Sequence, residues 1–157
     1  IALAPVDDPE LEFRHLHNEE LVLAVPASHR AGRTRDAIDL RQLAAESFIV
    51  PPRDIAPGLH DLIIAQCRAA GFTPRITQHA RQMQTVISLV SSGMGFALVP
   101  SSVRNLNRAG VQYRRLRGEA ASISLGIITR RREGSLPRER FAEVLAGAAS
   151  LLSGSTR

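Results

Sequence analysis

The chain has 157 residues, 44% of them hydrophobic, with a formal net charge of +5, which suits one ordinary globular domain. No apolar run approaches the ~18 residues a membrane-spanning helix needs, and a single cysteine, Cys67, excludes an intramolecular disulfide. All twenty basic residues are arginine, scattered among Asp and Glu apart from Arg130–Arg132, with no interleaved aromatics. That pattern reads as compositional bias and a solvated surface, not as a phosphate-binding face.

Ile1 opens an apolar stub followed by Pro5, Asp7 and Asp8, with no basic leader, so no secretory signal is expected. The chain begins without Met, inside what looks like a strand end, and therefore reads as a piece of a longer protein. Leu11–Leu16 and Leu21–Val25 read as two strands joined by a polar turn, His17–Glu20. Asp39-Leu-Arg-Gln42 matches a capping box opening a short helix through Ala45. Phe48–Val50 is a short apolar strand stopped by Pro51-Pro52. After the loop Arg53–Ala56, Pro57 is a good first helical residue. The helix it opens runs to about Ala70 with Leu59, Leu62, Ile63 and Cys67 on one face, and Gly71 ends it.

Thr73–Gln78 is a further strand. In Arg81–Pro100, Met83, Val86, Ile87 and Val90 recur at helical spacing, Gly93 supplies the helix stop, and Phe96–Val99 reads as a parallel strand buried on both faces. Ser101–Leu106 gives one or two helical turns, Val111–Leu116 a strand after Gly110. In Ile123–Thr129, Ile123, Leu125 and Ile127 alternate with Ser124 and Gly126. Ser135 and Pro137 start a last helix with Phe141, Val144, Leu145, Ala148 and Leu152 on one face, before a frayed tail at Ser153–Arg157.

Alternating strands and helices make this an α/β chain. The βαβαβ core spans about 27–116, with strand pairs on either side. That order fits a chain that leaves one lobe, completes a second and returns, crossing at Val25–Ala27 and Leu116–Gly118. The expected division is a partial first lobe, 1–26 and 117–157, and a second lobe, 27–116.

The ordered series LVLAVPASHR, IDLRQLAAESFIV, RAAGF and QTVISLVSSGMGFALVPSS resembles the effector-binding domain of LysR-type transcriptional regulators. It is most similar to the subgroup that senses aromatic acids and muconate. The resemblance implies a periplasmic-binding-protein-like fold of two lobes with a small organic acid in the cleft. It also implies a cytoplasmic protein and a homo-oligomer in the full-length regulator. DNA would be bound only through an N-terminal winged helix-turn-helix that this chain lacks, along with the opening elements of the first lobe.

Site chemistry concentrates at Arg53–Leu59. A helix N-terminus presents unpaired N–H groups and a positive dipole end, so it takes carboxylates. Gly58 lets a ligand approach the backbone. The resemblance aligns Pro57, Gly58 and Leu59 with effector-contacting residues, and Ile123 with a cleft-lining position. Arg53 offers a bidentate carboxylate partner, although a surface arginine in a loop is the simpler reading. His15 and His17 share a strand face but lack further ligands, so no metal site is expected. The resemblance sets His17 near a second, aromatic-effector contact of some relatives. Cys67 reads as a buried, inert thiol.

No nucleophile–base constellation, phosphate loop or dinucleotide fingerprint occurs, so neither an enzyme nor a cofactor is expected. The remaining alternative to a regulator is a transporter's solute-binding protein, which shares the fold by analogy only.

Overall fold

The computed structural model describes residues 2–3, 8–131, 140, 141, 143–145 and 147. The chain divides into two compact units: one runs from Glu20 to Ser122, and the flanking segments form the other.

In the Glu20–Ser122 unit, β3 (Ser47–Val50) pairs in parallel with β4 (Arg75–His79), with a bulge between Phe48 and Ile49. The connection between them is α2 (Pro57–Ala69), as a parallel pair requires. On the other side of β3, a parallel bridge joins Phe48 to Phe96, with Phe96 N–H donating to Ser47 O and Ile49 N–H to Phe96 O, both at 2.8 Å. That bridge leads into β5 (Ala97–Pro100), which runs antiparallel to the Leu21–Ala24 stretch of β2 (Leu11–Pro26). The far edge is β6 (Val111–Arg114), antiparallel to Leu23–Pro26. The strand reading Phe96–Val99 is therefore parallel to β3 at its first residue only. Beside β2 it is antiparallel, because β2 enters the sheet directly and not through a crossover helix.

The helices bury the faces their spacing implies. Leu59, Ile63 and Cys67 of α2 are buried, while Leu62 is half-buried at the stripe's edge. In α3 (Met83–Ser91), Val86, Ile87 and Val90 are buried against Val22, Ala24, Ile49, Ala97 and Val99. Fully burying each such side chain stabilises the fold by about 1.5–3 kcal/mol. Gly93 ends α3 with φ +76°, and Gly93 and Met94 donate N–H groups back to Val90 and Leu89, closing the orphan carbonyls. Phe48 lies at the centre of an aromatic group, 5.9 Å from Phe72 and 6.4 Å from Phe96 between ring centroids.

Two local expectations are corrected. His17–Glu20 is no turn: Leu11–Pro26 is one sixteen-residue strand. His17–Glu20 has no Gly or Pro, and the Asn18 side chain bonds His15 Nε2 at 3.0 Å and Ser124 Oγ at 2.9 Å instead of folding its own backbone. Asp39 does cap, accepting Arg41 N–H at 3.0 Å, but what it opens is a 3-10 turn, Leu40–Leu43, and not an α-helix through Ala45. Leu21–Pro26 of β2 belongs to the sheet of the Glu20–Ser122 unit, and Ala121 O accepts Leu21 N–H at 2.8 Å. Ser101–Leu106 forms a second 3-10 turn and α1 is a single turn at Arg30–Arg33.

In the other unit, β1 (Ala2–Leu3) pairs antiparallel with β7 (Ser122–Arg130), which also adjoins β2. Ile123 and Ile127 are buried, but Leu125 is only half-buried and Gly126 is buried on the opposite face, under the ring of Phe13. Both faces of β7 are thus covered at its middle. The described residues between 140 and 147 are helical, with Phe141 62% and Val144 68% exposed. Ser135, Pro137, Ala148, Leu152 and Ser153–Arg157 lie outside the described residues. Among those described, no helix is long and apolar enough to cross a membrane.

Candidate functional site

β3 ends in Pro51-Pro52, and the chain turns through Arg53–Ala56 into α2 at the carboxyl end of a buried parallel strand. Open α/β sheets bind ligands at such ends. Pro52 O closes the turn, accepting N–H groups from Ile55 at 3.2 Å and Ala56 at 3.1 Å. Pro57 is the first helical residue, and Ala56 at the cap position contributes no side-chain bond. The first N–H of the helix held by a backbone carbonyl is that of His60, donating to Ala56 O at 2.9 Å. Gly58 and Leu59 therefore present their N–H groups at the positive end of a thirteen-residue helix.

The structure gives the expected residues different parts. Pro57 is exposed and Gly58 half-buried. The Leu59 side chain is 1% exposed and faces the core, so only its backbone can meet a ligand. The Arg53 guanidinium is already engaged: Nε and Nη2 donate to the two carboxylate oxygens of Asp61 at 2.8 and 2.9 Å. This fork clamps the loop to the second turn of α2. The hydrogen bond from Arg53 holds the Asp61 carboxyl below its ordinary value, and the same bond raises the Arg53 guanidinium's. Ile123 belongs to the other compact unit, buried near the start of β7.

Two histidines missed by the sequence reading gather at the same strand end. His60 Nδ1 donates to Pro51 O at 2.8 Å, and His79 Nδ1 donates to Val50 O at 3.0 Å. Donation to carbonyls fixes the proton on Nδ1 and leaves each Nε2 for other partners. The signal available in sequence was weak: His60 lies three residues into a helix and His79 ends a strand 19 positions later.

Elsewhere, His15 is held by Asn18, and His17 Nε2 lies 3.3 Å from Glu19 Oε1. Among the described residues no three of His, Cys, Asp and Glu come together as a metal-holding group. Burial pushes the Cys67 thiol up to about 12, so it stays protonated and unreactive at neutral pH.

The family model for the LysR substrate-binding domain matches residues 1–150. The chain is 41% identical over 125 residues to the HTH-type transcriptional regulator IlvR of Caulobacter vibrioides, covering 80% of this chain and 41% of that protein. It is 32% identical to the HTH-type transcriptional regulator CatR of Pseudomonas putida, over 81% of this chain and 43% of that one. The chain thus spans about four-tenths of the length of these curated relatives. Among solved structures it is similar to the BenM effector-binding domain with its effector benzoate, at a TM-score of 0.77 and 25% identity, over 99% of this chain and 70% of that one. It also shares the fold of CbnR, a LysR family transcriptional regulator, with a TM-score of 0.79 and 24% identity over 94% of this chain and 51% of that one.

Proposed function

The chain belongs to the LysR substrate-binding domain family, and we propose that it is the effector-sensing part of a DNA-binding transcription regulator. Its effector is a small organic acid, and its carboxylate is received at the start of α2 by the N–H groups of Gly58 and Leu59. The observation that carries this reading is a helix N-terminus without a side-chain cap at the carboxyl end of a buried strand, in a chain of this family. Relatives named as HTH-type transcriptional regulators and a similar domain whose effector is the aromatic carboxylate benzoate support it.

In this reading 1–26 with 117–157 and 27–116 are parts of two lobes, and Ile123 lines the cleft from the returning strand. Arg53 serves the site indirectly, by holding the loop against Asp61. The protein acts in the cytoplasm as a homo-oligomer, reaches DNA through a helix-turn-helix outside this chain, and senses rather than transforms its ligand. Regulation then requires that the acid bind one arrangement of the regulator more tightly than another, since equal affinity shifts no equilibrium.

Gly58→Glu tests the site. The carboxylate adds bulk and a like charge where the acid binds. Each hydrogen bond to a charged acceptor contributes about 1.5–3 kcal/mol, so affinity should fall at least about tenfold. Titration calorimetry with benzoate and with dicarboxylic acids measures it. Gly58→Ala should be milder, because helical backbone suits alanine. Unchanged affinity in Gly58→Glu would remove the effector from the start of α2.

A further inference from the structure

The loop between the second 3-10 turn and β6 borders a solvent-open pocket of about 460 Å³ in the Glu20–Ser122 unit, lined by Arg104, Asn107, Arg108, Gly110, Gln112 and Tyr113 among others. We propose that it binds a low-molecular-weight oxyanion, a carboxylate or a phosphate group held between Arg104 and Arg108. No residue of the Arg53–Leu59 loop lines it, and neither does any Asp or Glu.

The two guanidinium groups are unspent. Neither Arg104 nor Arg108 has a side-chain hydrogen bond or ion pair among the described residues, and Arg104 Nε is buried with no acceptor. A buried donor without a protein acceptor is free to take an ordered water or a bound ion. Arg114, on β6, has a buried Nε without an acceptor as well, but its terminal nitrogens are engaged, donating to Gly32 O at 2.5 Å and to Tyr113 O at 3.0 Å.

The walls are built rather than loose. Tyr113 Oη donates to Val103 O at 3.2 Å, tying β6 to the 3-10 turn. Ser91 Oγ donates to Ala109 O at 2.8 Å, and Ala27 N–H to Gly110 O at 2.8 Å. Asn107 takes the left-handed conformation, φ +44°, and its N–H returns to Arg104 O at 3.2 Å. The loop that carries both arginines is therefore held at four points. Guanidinium forks match the planar geometry of carboxylates and the oxygens of phosphates. A cavity of this volume is within the range that takes small ligands, and the half-buried ring of Tyr113 offers a surface for the ligand's carbon body.

Tyr113 is the only tyrosine in the chain and lines the pocket, so its ring resonances in a 13C-tyrosine-labelled sample give a single resolved probe there, with the arginine variants separating binding in the pocket from effects through the core. The whole chain is titrated with benzoate and, separately, with inorganic phosphate, at ionic strength held constant with chloride. Saturable shifts with either anion are expected, and the anion that saturates identifies the carboxylate or phosphate source. Arg104→Met and Arg108→Ala should each weaken the response at least about tenfold, while Arg81→Ala, an exposed arginine outside the cavity, should leave it unchanged. Arg108 is exposed, so its variant decides the question even where Arg104→Met fails to fold. No saturable shift with either anion, or the same shift in Arg108→Ala, would overturn the proposal.

Discussion

Arg53 shows how one partner redirects a residue's role. An unpaired arginine beside a helix N-terminus would add charge to a carboxylate site, whereas Arg53 spends its fork on Asp61 at 2.8 and 2.9 Å. Because the pair is exposed it contributes little stability, but its pH dependence has a definite sign. The Asp61 carboxyl is held below its ordinary 3.8 by the hydrogen bond from Arg53. A group depressed in the folded state stabilises above its unfolded value, and that contribution is lost as pH falls through the lower folded value. Thermal melts of the parent and of Asp61→Asn should therefore differ slightly at neutral pH and converge below 3.8; a difference that widens in acid would contradict the assignment. Gly95 is a second residue fixed by its surroundings. A Cβ there would lie 2.7 Å from Ser47 O, the carbonyl that accepts Phe96 N–H in the β3–β5 bridge. Backbone must shift to admit it, so Gly95→Ala should destabilise by about 1–3 kcal/mol in urea unfolding; an unchanged midpoint would mean that the bridge gives way freely.

At the scale of elements, α2 joins the core to the candidate site. Its buried stripe, Leu59–Ile63–Cys67, anchors the helix, while its first turn presents the free N–H groups. Removing part of that anchor has a graded cost. Ile63 is 0% exposed, so Ile63→Ala should cost about 2–5 kcal/mol. Leu62 sits at the stripe's edge, half-buried, and Leu62→Ala should cost distinctly less. Denaturant midpoints of the two variants measure the contrast, and equal losses would show that the helix packs in another rotation. The glycine stops of α2 and α3 follow from local rules, since Gly71 and Gly93 both have positive φ, +88° and +76°.

For the whole molecule, the charge question is settled by distribution more than by sum. The net charge of +5 arises from twenty arginines against fifteen acids, and several arginines are consumed by internal contacts. Without a recognition helix among the described elements, association of this chain with DNA should be weak and non-specific, falling steeply between low and physiological salt. A gel shift against promoter and unrelated DNA at both salt concentrations reads this directly. A site-specific footprint from this chain by itself would contradict it.

Helix faces, glycine stops and the β3–α2–β4 order were legible in the sequence because each depends on residues within a turn or two of one another. Val86, Ile87 and Val90 declare one face of α3 without reference to anything else in the chain. The series of motifs from LVLAVPASHR to GFALVPSS likewise carried the family. The direction of β5 against β2 was not legible, because its partners Leu21–Ala24 and Ala97–Pro100 stand more than seventy positions apart and local pattern has no memory of such pairings. Nor was the continuity of β2 through His17–Glu20, where side-chain partners on β7 replace the turn that a polar run suggests. The candidate site divides in the same way. Pro57-Gly58 as a helix start is local and was readable. The capture of Arg53 by Asp61, the two histidines on the carbonyls of Val50 and Pro51 and the unspent Arg104 and Arg108 were decided by folding alone. Which donor meets which acceptor is set by packing in three dimensions, not by spacing along the chain.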